Sequence, residues 1–413
     1  MRSQVRILLP PLSIADVAQL VEHLHGKEGV RGSSPRVGSR KSLQVARLDA
    51  RGVRPTCRTI LAITVTPGAA ARPQVVEVDE PSRDETELLV EIVALGICGT
   101  DREIVRGEYG WPPPGKDTLV LGHESLGRVL EAPPGSALRA GDLVAGIVRR
   151  PDPEPCPCCA RGEFDMCRNG RYRERGIKEL DGYGAELVTL EPDFAVGLDP
   201  ALGLVGVLTE PASVVAKAWE QIDRVGAQSC RALESVLVTG AGPIGLLAAL
   251  LAARRGLRVN VLDRVTGGPK PRLARALGAR YLTGSVREAC GSAEPDIVLE
   301  CTGVPELVVE VMQATAPGAV VCLLGVSPRG RTLSVDVGAL NSELVLENDV
   351  VFGSVNANRR HFEAAADALA DADRDWLEGL ITKRVPLDRW TEALESQPED
   401  IKAVVEFETS GPA

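Results

Sequence analysis

Two rhythms of hydrophobic and polar positions divide the chain. Up to about residue 150, short apolar runs alternate with Gly and Pro, as in Glu87-Leu88-Leu89-Val90-Glu91-Ile92-Val93-Ala94-Leu95 and Leu143-Val144-Ala145-Gly146-Ile147-Val148. Runs punctuated in this way predict the strands of a compact β-rich domain. From about residue 235 the pattern changes to strand, helix, strand: Ser235 to Thr239, a helix from Pro243, Val259 to Leu262, a helix around Leu273 to Leu277, Ile297 to Glu300 and Val320 to Leu324. This alternation predicts a parallel sheet with helices on both faces. The helical stretch Arg360 to Leu369 and the closing run Ala403 to Phe407 are expected to return to the first domain.

The first 57 residues read differently. Ile14, Val17, Leu20, Val21 and Leu24 fall on one helical face, with Ser13 placed as a cap. However, Val17-Ala18-Gln19-Leu20-Val21-Glu22 and Gly32-Ser33-Ser34-Pro35 resemble the conceptual translation of a transfer-RNA gene. The segment is expected to be an N-terminal extension from a mis-called start, with the folded protein beginning near Ile60. The division is then an extension over 1–57, a catalytic domain over 58–222 and 356–413, and a nucleotide-binding domain over 223–355.

With 413 residues, 44% of them hydrophobic, the chain can bury two cores of ordinary size. A net charge of −10 argues against a nucleic-acid partner, since such proteins carry a basic excess. No run approaches the roughly 18 continuous apolar residues of a membrane span, and the N-terminus lacks a signal-type apolar core. The expected compartment is the cytoplasm. There, a cluster such as Cys156, Cys158, Cys159 and Cys167 favours metal over disulfide.

The strand Ser235 to Thr239 runs directly into Gly240-Ala241-Gly242-Pro243-Ile244-Gly245 and then an apolar helix. In this context Gly240 makes the turn, Gly242 admits a pyrophosphate and Gly245 lets the helix pack on the strand. Pro243 suits an early helical position, which needs no N–H. Asp263 closes the second strand, where a carboxylate accepts from the adenosine ribose hydroxyls and favours NAD. Arg264, adjacent, could instead pair with a 2′-phosphate, so NADP stays open.

Of four histidines, only His123 and His361 lie outside the extension. His123 stands in Gly122-His123-Glu124, downstream of Gly96-Ile97-Cys98-Gly99-Thr100-Asp101. Cys98, His123 and Glu124 offer the thiolate, imidazole and carboxylate that a catalytic zinc accepts while keeping one position open.

Together these motifs resemble the zinc-containing medium-chain dehydrogenases over nearly everything after residue 60. Within that family, Glu108-Tyr109-Gly110, Leu121 to Ser125, Glu174 to Ile177, Thr209-Glu210-Pro211 and Gly353 to Phe362 are most similar to the archaeal-type glucose 1-dehydrogenases. The resemblance implies an α/β protein, with a GroES-like β-rich catalytic domain joined to a Rossmann doubly wound parallel-sheet domain. It implies catalytic zinc at Cys98, His123 and Glu124, with Glu210 as a fourth or exchanging ligand. It places sugar hydroxyls at Thr100, Glu174, Glu210 and Asn356. It sets NAD or NADP against Thr302, Gly325, Val326, Ser354, Val355 and Asn356 as well as the glycine turn. The implied reaction oxidises the C1 hydroxyl of glucose or a related aldose to the lactone. Hydride passes from C1 to the nicotinamide, and Thr100 passes the proton outward. A homodimer or homotetramer is also implied, and His361 is expected to open a helix and serve structure.

Cys156, Cys159 and Cys167 match three positions of the family's C-x2-C-x2-C-x7-C structural zinc lobe. Pro153 occupies the remaining position and cannot ligate, so Cys158 or Asp152 would have to complete a tetrahedral site. Three alternatives stand beside the glucose reading: a sorbitol, threonine or simple alcohol dehydrogenase; a zinc-free quinone reductase; and a non-catalytic nucleotide-binding protein. The Ser354 to His361 stretch speaks against the first, and the zinc ligand set against the others.

Overall fold

The computed structural model describes residues 58–68, 73–227, 232–328 and 330–409. The expectations for residues 1–57 lie outside these.

Six strands form one wholly parallel sheet, in the spatial order Arg280–Leu282, Arg258–Leu262, Ser235–Thr239, Ile297–Glu300, Val320–Leu323 and Val350–Gly353. Numbered along the chain this is 3-2-1-4-5-6, the doubly wound order. The central strands are continuously apolar because both faces are covered. Alternate residues serve opposite faces: Val236 and Val238 join the core containing the Pro243–Arg254 helix, whereas Leu237 joins the one under Val286–Ala293. Two members of this sheet, Arg280–Leu282 and Val350–Gly353, were not evident from sequence, being short and flanked by polar residues. The helix expected at Leu273 to Leu277 begins earlier, at Pro269, and ends at Ala276.

A second sheet runs Ala195–Leu198, Leu143–Gly146, Glu124–Glu131, Leu88–Ile97, Lys402–Glu406, Ile381–Pro386, with Leu187–Leu190 also pairing with Leu88–Ile97. The last strand of the chain lies antiparallel to Leu88–Ile97, with Ala403 opposite Ile97. The end of the chain is thereby carried to the point where Leu88–Ile97 delivers Cys98. A small sheet of Arg149–Arg150, Arg173–Arg175 and Glu179–Leu180 packs nearby.

The segment Pro200–Gly226 is long and apolar enough to cross a membrane, yet 67% of its most apolar window is buried inside the protein. Its chain kinks at Gly203, and the helix proper, Thr209–Gly226, presents Ala212, Val215, Trp219 and Ile222 to the core. It packs against Pro243–Arg254 and Arg359–Ala370. His361 sits in the first turn of the latter, where its Nδ1 accepts from the Asn358 amide at 3.1 Å.

Gly245 shows how closely the first strand and helix approach. A Cβ there would lie 1.8 Å from the Gly240 carbonyl oxygen, far inside contact distance. Gly245→Ala is therefore expected to destabilise the fold by about 1–3 kcal/mol, read by denaturant titration. An unchanged midpoint would show that the turn relaxes freely.

Candidate active site

Pairing of Leu88–Ile97 with Glu124–Glu131 sets Gly96 opposite Glu124. A Cβ on Gly96 would lie 2.1 Å from Glu124 Oε2, so the missing side chain makes room for that carboxylate. Cys98 then caps the Gly99–Val105 helix. Its sulfur accepts from the Thr100 amide at 3.3 Å, while Asp101 Oδ2 accepts from the Cys98 amide at 2.9 Å. His123 Nε2 stands 3.1 Å from Cys98 Sγ. The ligand atoms of Cys98, His123 and Glu124 all lie within 4.8 Å of one another, a spacing and donor set that fit a zinc ion with one position left open.

Two buried charges surround this trio, and neither was identified from sequence. Asp101 faces His123 Nδ1 at 3.4 Å, close enough for an ion pair though not aligned as a hydrogen bond. A carboxylate on the far nitrogen orients the ring and leaves Nε2 for a metal. Burial alone would depress the His123 pKa, but Asp101 and Cys98 together raise it well above its ordinary value. Lys402, also fully buried, donates to Glu124 Oε1 at 2.7 Å and to Glu124 Oε2. Burial opposes its charge, yet Glu124 and Cys98 hold its pKa above the usual lysine value. Asp101 stood within a quoted motif, whereas Lys402 opens an apolar strand and carried no local signal.

Glu210 begins the Thr209–Gly226 helix, and its carboxylate lies outside the three-residue cluster. Burial and the neighbouring Glu124 raise its pKa to about 7, with His123 and Lys402 opposing the shift. Thr100 is half-buried two residues after Cys98.

Glu174 is buried rather than solvated, despite its place in a charged run. It pairs across the small sheet with Arg149. Its Oε1 accepts from Arg149 Nε at 3.0 Å, Arg149 Nη2 at 2.9 Å and Asn356 Nδ2 at 2.7 Å. Residues 182 positions apart, Glu174 and Asn356, are thus in direct contact. Asn356 has φ of 63°, a left-handed conformation that asparagine tolerates better than most side chains.

At the glycine turn, Asp263 follows the second strand. Its Oδ2 accepts from the Ala241 amide at 2.6 Å and its Oδ1 from Val265 at 2.8 Å. Arg264 beside it is exposed. Space around Gly242 is open, and Pro243, Ile244 and Gly245 form the first helical turn, an arrangement that suits a pyrophosphate. Glu300 ties the neighbouring strand ends together by accepting from the Thr302 and Gly303 amides at 2.8 and 3.1 Å and from the Thr302 hydroxyl. Gly325 packs on Gly303, so closely that a Cβ would lie 2.0 Å from its nitrogen. Val326 and Val355 are exposed. The Ser354 hydroxyl is buried without a hydrogen-bond partner, as expected of a group awaiting a ligand.

In the cysteine lobe, the sulfurs of Cys156, Cys159 and Cys167 also lie within 4.8 Å of one another. Cys158 is not part of this group. Asp152 does not complete it either, because its carboxylate is committed elsewhere: Oδ1 to the Glu154 amide, Oδ2 to Asn169 Nδ2 and Arg171 Nε. Backbone amides of Arg168 and Cys159 lower the Cys156 pKa to about 6.

The Lys402–Glu124 pair generates a stability prediction. Lys402→Met leaves a buried carboxylate without its counter-charge and is expected to cost about 3–5 kcal/mol in guanidinium unfolding of the metal-free protein. Adding Glu124→Gln should recover most of the loss; a single variant as stable as the parent would refute the pairing.

Two family models match the chain: the alcohol dehydrogenase GroES-like domain over residues 84–200, and the glucose dehydrogenase C-terminus over residues 203–407. The glucose 1-dehydrogenase of Methanocella arvoryzae is 39% identical over 357 residues, covering 84% of this chain and 99% of that protein. That of Thermoproteus tenax is 40% identical over 359 residues with the same coverage. Among solved structures, Haloferax mediterranei glucose dehydrogenase in complex with NADP, Zn and gluconolactone matches with a TM-score of 0.78 at 33% identity, covering 84% of this chain and 99% of that one. The apolar pattern, the glycine turn and the clustered ligands thus converge with these matches: the chain belongs to the glucose 1-dehydrogenase family of zinc-containing medium-chain dehydrogenases.

Proposed function

We propose that this chain oxidises the C1 hydroxyl of glucose, or a closely related aldose, to the lactone, with zinc and NAD(P) as its cofactors. The observation that carries the reading is the convergence of Cys98, His123 and Glu124 within 4.8 Å, in a chain similar along its length to glucose 1-dehydrogenases.

Cys98, His123 and Glu124 would hold the zinc, which when bound supplies Lewis acidity to the substrate hydroxyl. Asp101 keeps His123 oriented. Lys402 fixes Glu124 and balances the charge that Cys98 and Glu124 bring to the site. Glu210, its pKa raised by burial and by Glu124, would serve as an exchanging ligand or as an acceptor for a sugar hydroxyl. The Thr100 hydroxyl would take the proton released from the C1 hydroxyl oxygen, while giving its own toward solvent, as hydride leaves C1 for the nicotinamide.

All three donors to Glu174 fall on Oε1, so its other oxygen is left to receive a sugar hydroxyl, with Asn356 beside it. NAD(P) would lie over Gly240, Gly242 and the first turn from Pro243, with its ribose at Asp263 and its nicotinamide end near Thr302, Gly325, Val326, Ser354 and Val355. We assign 58–222 with 356–413 to catalysis and 223–355 to the nucleotide. The eight described cysteines are unpaired, which suits a reducing cytoplasm. The Cys156, Cys159 and Cys167 trio would offer three thiolates to a second, structural zinc, with neither Cys158 nor Asp152 filling the fourth position.

One surface supports a homodimer. The Val337–Glu347 helix has no buried residue, and Val337, Val345 and Leu346 are 68%, 63% and 77% exposed. Beside it in the chain, Val350–Gly353 is an edge strand of the parallel sheet, with backbone groups free to pair. A second copy of the chain covering both would give a homodimer.

Metal analysis should find at least one zinc ion per chain, with a second only if three thiolates suffice in the cysteine lobe. Chelation should abolish NAD(P)H formation with glucose, with galactose, xylose, sorbitol and threonine as comparison substrates. Full turnover after complete removal of metal would defeat the proposal, and a preference for threonine or sorbitol would move it to another branch of the family. For the interface, Leu346→Glu should shift the mass measured by light scattering to that of a single chain.

A further inference from the structure

Beyond the site itself, the polar groups behind Asn356 form a connected set that the reaction does not use. Ser354, Ala357 and Asn358 are buried, but Val355 is 57% exposed and Asn356 is in the left-handed region. Side-chain packing therefore does little to fix the tip of this segment. The tip is gripped through its backbone: Lys217 Nζ donates to the Val355 carbonyl at 2.9 Å. Lys217 lies on the Thr209–Gly226 helix, 138 positions away, and is 3% exposed.

A buried ammonium needs a counter-charge. Asp165, equally buried, supplies it at 2.9 Å. Asp165 has further ties to the same region. Its Oδ1 accepts from Asn358 Nδ2 at 2.8 Å, and its carbonyl accepts from Arg149 Nη1 at 2.9 Å. Arg149 is the residue that clamps Glu174. The Lys217–Asp165 pair thus reaches both members of the Glu174–Asn356 contact, one through the Val355 carbonyl and the other through Arg149.

We infer that Lys217 and Asp165 are positioning residues for sugar binding, setting the left-handed turn at Asn356 against Glu174 without touching substrate. This rests on the assignment of Glu174 and Asn356 to the sugar. The pair also connects that contact to the cysteine lobe, since Asp165 stands two residues before Cys167 on the Phe164–Met166 turn. Burial lowers the Lys217 pKa, and Asp165 opposes that shift, consistent with an ammonium that depends on its partner.

A double-mutant cycle on kcat/KM for glucose tests this, using Lys217→Met, Asn356→Ala and their combination in zinc-loaded enzyme. Each single variant should lower kcat/KM by about ten- to a hundredfold, since small misplacements of a positioned group have effects of that size. If Lys217 acts through Asn356, the combined variant should be no worse than Asn356→Ala alone. Effects that multiply would overturn the inference, as would a Lys217→Met enzyme with parental kcat/KM. Should Asn356→Ala itself have no effect, the assignment of Asn356 to the sugar fails, and this inference with it. Asp165→Asn, which keeps shape and removes charge, repeats the cycle if Lys217→Met does not fold, with the same outcomes deciding.

Discussion

Charge buried without water has to be matched by charge, and that constraint shapes the whole reactive region of this protein. Cys98, His123, Glu124, Asp101 and Lys402 crowd together where Asp101 and Lys402 are essentially inaccessible to solvent. An isolated ion there would be neutralised or would unfold the site. Instead the groups alternate in sign: Asp101 faces His123, and Lys402 grips Glu124. A divalent cation added to such a set meets a thiolate and a carboxylate already oriented, so little reorganisation is required when it binds.

The fold delivers these groups by strand register. Gly96 opposite Glu124 and Ala403 opposite Ile97 place three distant stretches of chain on adjoining strands. Because successive side chains in a strand alternate between faces, a one-residue slip in either pairing would turn Glu124 or Lys402 to the wrong side. Gly96 adds a steric condition, since any side chain there would occupy the volume of the Glu124 carboxylate. Catalytic architecture and sheet architecture are here one problem.

A similar arrangement recurs at the second pole of the site. Glu174 and Asn356 meet directly and are braced by Arg149, Asp165 and Lys217, which come from the small sheet, the cysteine lobe and the long helix. The parallel sheet contributes its strand ends, where Glu300 accepts from the Thr302 and Gly303 amides and holds the loop that follows. Ligand sites in open α/β sheets lie at such carboxyl ends.

Much of this was legible in the amino-acid order alone. The alternation after residue 235 specifies a parallel sheet because hydrophobic period reports burial directly, and Gly240 and Gly245 specify their turn because the first has φ of 89° and a side chain on the second would strike the Gly240 carbonyl. Cys98, His123 and Glu124 stood out as a rare set of zinc donors. What local pattern could not show was partnership. Lys402 reads as a polar residue at the edge of an apolar run, and Asp152 as a spare metal ligand. Tertiary structure decided each differently, because a side chain's pairing is set by residues tens to hundreds of positions away. Periodicity along the chain tells which face is buried; only the packed molecule determines which buried charge meets which.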